Sequence, residues 1–414
     1  MSFGRDWRDK MDVLIRPGML RGSVTPPPSK SMAHRLIIAA GLAQGESRLT
    51  NVAFSRDMEA TLRCMEALGS TWEWQGDTLF LHGLRPDLPA QPFPHMDCGE
   101  SGSTLRFLIP IALALRGGGS FTGRGRLMER PQMPYFDLFD EKGIYHELKD
   151  GVLTLRGQLT PGEYRLAGNV SSQFFTGLLF ALALLDAPST VISTTALESA
   201  DYITMTMEAM AAAGVAVKET APGVFRVTPG AYRPITAAVE ADWSQAGFWY
   251  AAAFLDHPVT PVGLKSNSAQ GDKVVSELYW KLARPGDMTI DLSSCPDLLP
   301  PLAVMAAARK GKTEFINAAR LRIKESDRLA TVAAMLHELG IEAEEQPEGL
   351  TVTGGRFTGG TVDGANDHRI VMAAAIAATK AAGPVKILGA QAVSKSYPDF
   401  FDVFSALGGD LDVL

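Results

Sequence analysis

The chain has 414 residues, with 39 Lys plus Arg against 46 Asp plus Glu and a formal charge of −7. That length holds two or three domains, each able to bury a core of its own. A hydrophobic share of 46% and a charged share of 21% exclude a chain that is disordered throughout, and the mild acidity disfavours a nucleic-acid binder, whose affinity comes from Lys and Arg on phosphates.

Along the chain one block recurs: a short polar cluster, an Ala/Leu/Ile-rich helix, a strand, and a second helix that ends at Gly. The first copy runs from Lys30 through RLIIAAGLAQG, the strand SRLTNVA and the helix RDMEATLRCMEALG to Gly69. The second begins at Ser101 (GSTLRFLIPIALALRGGG) and reaches Gly143, and the third goes from Ser172 (SQFFTGLLFALALL) to Gly214. A fourth, starting at Ser244 (SQAGFWYAAAFL), is less regular. The fifth runs from Asp297 to Gly340 and the sixth from Asp367 to Gly408. Between copies, TWEWQGDTLFLHG, YHELKDGVLTLRG, VAVKETAPGVFRVTPG and IEAEEQPEGLTVTGG alternate around Gly-containing turns and read as β-hairpins. Six units of helix, strand, helix and hairpin predict a mixed α/β protein. The Pro/Ala-rich stretch GAYRPITAAVEAD before the fourth copy places a lobe junction near Pro234, giving two lobes of three units. A single solenoid of six repeats is the alternative.

The first helix of each unit is apolar nearly all round and is expected to be buried, with only its N-terminus in a polar environment. At those starts stand PSKSMAHR, GESGSTLR, NVSSQFF, DWSQAGF, CPDLL and NDHR. Ser, Asp and Asn there are explained by capping. The cations Lys30, His34, Arg35, Arg106, His368 and Arg369 are not, because the helix dipole disfavours them, and a bound anion is the expected offset. The second helices begin similarly, with Arg126, Glu129 and Arg130 in RLMERPQ, Ser199 in LESADY, Lys395 in VSKSYPD, and a dense RIKESDRL. Helical spacing in that last segment sets Lys324 and Arg328 on one face beside Glu325. A cation 4 Å from a phosphate gains roughly 4 kcal/mol at an effective dielectric near 20, so such clusters outweigh a net charge spread over the surface. A site for small phosphorylated or carboxylated anions is therefore predicted.

Other motifs fail. Gly311-Lys312-Thr313 lacks the upstream glycine of a P-loop, since Ala306 stands there, and Gly123-x-Gly125 lacks the third glycine of a dinucleotide fingerprint, since Met128 occupies it. Cys64, Cys98 and Cys295 have no CxxC or Cys/His spacing and read as free thiols, and the seven histidines never pair at metal spacing, so no metal is expected. No stretch approaches the ~20 apolar residues of a bilayer span, and MSFGRDWRDKMDVLIRPG lacks the apolar core of a secretory signal. A cytoplasmic protein with no membrane partner is expected.

With these motifs in their order, the chain resembles the 5-enolpyruvylshikimate-3-phosphate synthases of the enolpyruvyl transferase family. The resemblance rests on SKSxxxR at 29–35, GxSGSTxR at 99–106, GRLMERP at 125–131, SSQ at 171–173, PD at 296–297, KESDR at 324–328, NDHR at 366–369 and SKSYPD at 394–399. It implies a two-lobed inside-out α/β barrel, each lobe three βαβαββ units. The N-terminal lobe would span 22–234 and the C-terminal lobe 1–21 with 235–414, with the active site in the cleft between them. It further implies transfer of the enolpyruvyl group of phosphoenolpyruvate to the 5-hydroxyl of shikimate 3-phosphate, with release of phosphate, on the shikimate pathway to chorismate and aromatic amino acids. No cofactor is implied, the expected form is a monomer, and glyphosate is the family's inhibitor.

By position, the resemblance assigns Lys30, Ser31, Arg35, Ser171, Ser172, Gln173, Ser199, Asp297 and Lys324 to shikimate 3-phosphate. It assigns Lys30, Gly102, Arg126, Gln173, Arg328, His368, Arg369 and Lys395 to phosphoenolpyruvate, with Glu325 beside it. Asp297, Glu325 and Lys30 would be catalytic: Asp297 takes the hydroxyl proton while Glu325 or Lys30 protonates the methylene carbon. The chain departs from the family at Glu100, Ala200, Asp201 and Arg320. The related transferase acting on UDP-N-acetylglucosamine has Lys-Asn where this chain has Lys30-Ser31. A catalytically silent anion-binding protein of the same fold is the remaining alternative.

Overall fold

The computed structural model describes residues 10–84 and 92–414. Residues 1–9, part of the expected C-terminal lobe, and 85–91, within the expected N-terminal one, lie outside the described residues. The chain divides into two compact units, one of residues up to Pro27 with Ala241–Leu414 and one of Pro28–Glu240. The crossings thus fall after residues 27 and 240 rather than after 21 and 234, and strand pairing is the reason. Gly22–Val24 pairs in parallel with Val259–Pro261, which ties it to the first unit, whereas Thr236–Ala238 pairs in parallel with Glu46–Thr50, which ties it to the second.

Among the described residues, five four-stranded sheets share one strand order. In the sheet of the third repeat, Glu163–Leu166 runs parallel to Ser189–Ser193, and the antiparallel hairpin Val217–Ala221 and Val224–Val227 completes it. The last repeat closes differently, since its fourth strand is Val13–Arg16, taken from the start of the chain. The irregular fourth copy builds only the two-stranded pair of Gly22–Val24 and Val259–Pro261.

The first helices are buried along nearly their whole length, as their composition predicts: Lys30–Leu42, Gly102–Arg116, Ser172–Leu182, Trp243–Phe254, Leu299–Ala308 and His368–Ala378. Ser29, Ser101, Ser171, Asp242 and Asp367 each cap one, accepting a backbone N–H from two or three residues ahead. The fifth is preceded by the 3-10 turn Pro296–Leu298 and has no side-chain cap. Two of these helices approach backbone to backbone. A Cβ on Gly177 would stand 2.4 Å from Arg106 O, so only glycine fits. Pro110, having no N–H, leaves that same Arg106 carbonyl without its helical donor, and the buried Tyr135 hydroxyl supplies one at 2.8 Å.

Candidate active site

In the unit containing Ala241–Leu414, Arg328 opens the helix Arg328–Glu338 with 1% of its side chain exposed, and three carboxylates surround it. Its Nη1 donates to Asp297 Oδ1 at 2.7 Å, its Nη2 to Glu325 Oε2 at 2.6 Å and its Nε to Asp367 Oδ2 at 2.8 Å. Asp297 sits on the Pro296–Leu298 turn and also meets Arg369 Nη2 at 3.2 Å and Lys324 Nζ at 3.4 Å. Arg369 is itself fixed by Ser244 Oγ at 2.6 Å. Lys395 donates to Asn366 O at 2.6 Å, and His368 is buried beside Asp367.

These neighbours set the protonation states. Burial works against ionising Asp297, but Arg369, Lys324 and Arg328 outweigh it and hold the carboxyl well below its usual range. Burial likewise lowers Lys324, to about 8, despite the pull of Asp297. Asp272 is buried close to Asp297, and desolvation together with that like charge pushes it up to about 7. The Lys324 side chain does not share a helix face with Arg328 as the spacing predicted. Lys324 follows the 3-10 turn Ala319–Ile323 in extended backbone, and the two cations meet instead on Asp297 Oδ1.

In the unit of Pro28–Glu240, Lys30 opens its helix and pairs with the nearly buried Asp57 at 2.5 Å. Arg35 is buried, donating to Thr206 Oγ1 at 2.9 Å and to Ser31 O at 2.6 Å, and burial lowers it to about 10. Gln173 accepts from Arg106 Nη1 at 2.8 Å and donates to Ser103 Oγ at 3.0 Å, which brings the helix starts at Gly102 and Ser172 together. Ser171 caps the second of these and Ser172 is buried in its first turn. Ser199 stands at φ +53, a left-handed conformation costly for a residue with a side chain, and its buried hydroxyl has no hydrogen-bond partner among the described residues. Arg126 is half exposed, with Glu129 Oε2 4.0 Å from its Nε.

One further expectation changes. Lys30, Arg35, Arg106 and Arg369 need no bound anion to be tolerated, because Asp57, Thr206, Gln173, Ser244 and Asp297 accept from them within the protein, and burial holds the His34 imidazole well below its usual range so that it is no cation. Sequence reasoning gave no role to Asp57 or Asp272, and to Asp367 only that of a helix cap. Asp367 lies inside the NDHR segment and was within reach as a cap that also pairs, whereas Asp57 and Asp272 carry no motif. Of the departures, Arg320 is buried with Nη2 on Ser293 O, Asp201 lies in the first turn of Ala200–Ala212, and Glu100 packs over Gly125.

Comparison with known proteins agrees across the chain. The family model described as EPSP synthase (3-phosphoshikimate 1-carboxyvinyltransferase) matches residues 15–404. A 3-phosphoshikimate 1-carboxyvinyltransferase of Clostridium kluyveri is 41% identical, over 97% of this chain and 98% of that protein. Its Clostridium beijerinckii counterpart is 42% identical over the same shares. An EPSP synthase structure from Acinetobacter baumannii superposes with a TM-score of 0.78 over 98% of this chain and all of that one, and at 24% identity it bears on the fold alone. The enolpyruvyl transferase NikO from Streptomyces tendae does likewise, with a TM-score of 0.78 at 17% identity over 98% and 99% of the two chains. With a matching family model and relatives above 40% identity over nearly their full length, the chain belongs to the EPSP synthase family.

Proposed function

We propose that this protein transfers the enolpyruvyl group of phosphoenolpyruvate to the 5-hydroxyl of shikimate 3-phosphate and releases phosphate, the activity for which its relatives are named. The observation that carries the reading is Asp297, with one carboxylate oxygen on Arg328 and the other on Arg369. A base so strongly paired is a poor proton acceptor. Phosphoenolpyruvate brings a carboxylate and a phosphate that compete for those same guanidinium groups, so its binding draws the cations from Asp297 and restores the carboxylate's basicity. Asp297 then takes the proton of the 5-hydroxyl as that oxygen attacks C2. Glu325 or Lys30 protonates the methylene carbon, and a tetrahedral intermediate forms. Loss of a methyl proton and of phosphate from that intermediate completes the reaction, with Lys30, Arg126, Arg369 and Lys395 stabilising the developing charge.

The other substrate is assigned to Ser31, Arg35, Ser171, Ser172, Gln173, Ser199 and Lys324. The orphaned hydroxyl of Ser199, held in left-handed backbone where a helix begins, supports a phosphate contact there. That the residues of both units serve one pair of substrates is part of this proposal. No helix among the described residues is long and apolar enough to cross a membrane. Phosphate release from phosphoenolpyruvate is the test: it is expected with shikimate 3-phosphate, and neither without a co-substrate nor with UDP-N-acetylglucosamine. Release with the nucleotide sugar alone would assign the chain to the related transferase, and no release at all would leave only the anion-binding reading.

A further inference from the structure

Two segments beside the Gly102 helix start are built as a reciprocal clasp. The strands His95–Asp97 and Gly118–Thr122 pair in parallel, with Asp97 opposite Thr122, so the segments that follow them leave side by side. Backbone bonds continue the pairing, from Cys98 N to Thr122 O at 2.9 Å and from Arg124 N to Gly99 O at 2.6 Å. Asp97 adds a bond from Gly99 N at 2.9 Å and an ion pair with Arg124 at 3.2 Å.

Each segment then carries a glycine whose bare face is filled by a charged side chain of the other. A Cβ on Gly102 would lie 2.6 Å from Arg130 Nη1, 2.9 Å from its Cζ and 3.0 Å from its Nη2, so the guanidinium lies flat against the first residue of the helix Gly102–Arg116. Arg130 is 8% exposed. A Cβ on Gly125, at φ +56, would lie 2.8 Å from Glu100 Oε2 and 3.2 Å from its Cδ. A guanidinium at a helix N-terminus opposes the dipole, so stabilising that helix does not explain Arg130. Beside free N–H groups it does add to a positive field that an anion can use.

We propose that Arg130 and Glu100 are positioning residues for phosphoenolpyruvate, Arg130 setting the backbone of Gly102 and Glu100 setting the turn at Gly125 that carries Arg126. The inference rests on the function proposed above. It makes the cost of a side chain at Gly102 the displacement of the Arg130 guanidinium, within the protein, rather than a clash with a ligand at its Cα.

The test is a double-mutant cycle on the full chain, followed by phosphate release, the KM of each substrate and the thermal midpoint. Gly102→Ala is expected to raise the KM for phosphoenolpyruvate about tenfold, with the KM for shikimate 3-phosphate and the midpoint unchanged. Arg130→Ala is expected to do the same, and the double variant to be no worse than Arg130→Ala, because the added methyl then enters vacated space. Effects that multiply would overturn the inference, since the methyl would then be meeting the ligand itself. Should the alanine variants not fold, Arg130→Lys keeps the charge and loses the planar group: a several-fold rise confined to phosphoenolpyruvate supports the inference, and unchanged or uniformly raised KM values overturn it. Glu100→Gln, which keeps the shape, is expected to stay within about twofold of the unmodified protein where Glu100→Ala does not; equal losses remove Glu100 from the proposal. An unmodified protein that releases no phosphate overturns the function, whereas an active one with a multiplicative cycle overturns only the clasp.

Discussion

Two groups of cations, Arg328, Arg369 and Lys324 in one unit and Arg35 and Arg106 in the other, are held by different partners. In the unit containing Ala241–Leu414, Arg328, Arg369 and Lys324 are matched by Asp297, Glu325 and Asp367, and a fourth carboxyl, Asp272, is pushed up to about 7. In the unit of Pro28–Glu240, Arg35 and Arg106 donate to neutral oxygens: Thr206, Thr176 and Ser31 O for one, Gln173 and Pro131 O for the other. A carboxylate partner cancels a cation's field, whereas a hydroxyl or carbonyl only solvates it. The hydroxyl and carbonyl partners of Arg35 and Arg106 leave their charge in place, whereas substrate at Arg328 or Arg369 would have to replace carboxylate partners.

Lys30 breaks the pattern, since its partner is Asp57, and it is the place to press hardest. Lys30→Met is expected to cut turnover by about a thousandfold or more, with the fold retained by circular dichroism and the melting profile. Normal turnover would show that Lys30 serves only to pair with Asp57. Asp297→Ala is the matching experiment in the other unit and is expected to lower kcat by about a hundredfold to a thousandfold while KM values move little. Equal losses in kcat and affinity would argue that Asp297 binds and transfers no proton.

The contrast was half legible in the sequence. The repeat, the burial of the first helices and the hairpins follow from local pattern, because a 3.6-residue apolar period and a two-residue alternation are properties of short segments. The truncated fourth unit announced itself as irregularity. The lending of Val13–Arg16 and Thr236–Ala238 to distant sheets did not, because strand pairing across hundreds of residues leaves no local mark. The site divides in the same way. Lys30, Asp297 and Arg328 stood in motifs, but whether a cation faces a carboxylate or a hydroxyl depends on which helix arrives beside it. Asp57 reaches Lys30 from the next helix and Thr206 reaches Arg35 from one far along the chain. For the same reason the Lys324 and Arg328 contact was assigned to a helix face when it is made through Asp297.

Asp272 tests whether the acidic unit truly carries an excess carboxyl. Its folded value of about 7 lies above the ordinary 3.8. Between those values the folded protein keeps a proton that the unfolded chain has released, so this group's contribution to stability falls as pH rises from about 4 to about 7 and then levels off. An amide is neutral throughout. Asp272→Asn is therefore expected to gain on the unmodified protein across that interval, by roughly 1–3 kcal/mol at the plateau, read from thermal midpoints at a series of pH values. A difference that shrinks with rising pH would mean that Asp272 is ionised and held by Arg369.

Lys324 gives the finest discrimination, because it belongs to the acidic unit yet is assigned to shikimate 3-phosphate. Burial lowers it to about 8, so its charge is present at neutral pH and lost as pH rises through that value. Loss of one cation from a phosphate or hydroxyl contact weakens binding in proportion to the neutral fraction, and the KM for shikimate 3-phosphate is expected to climb about tenfold per pH unit beyond about 8, with the KM for phosphoenolpyruvate nearly flat over the first unit. Lys324→Arg stays charged throughout, because a guanidinium does not titrate in this range. Its profile should lie higher at neutral pH, since the planar group fits the position less well, and should not bend. A bend that persists in Lys324→Arg would assign the titration to another group, and a bend in the KM for phosphoenolpyruvate instead would move Lys324 to the other substrate, leaving shikimate 3-phosphate to the residues of the Pro28–Glu240 unit.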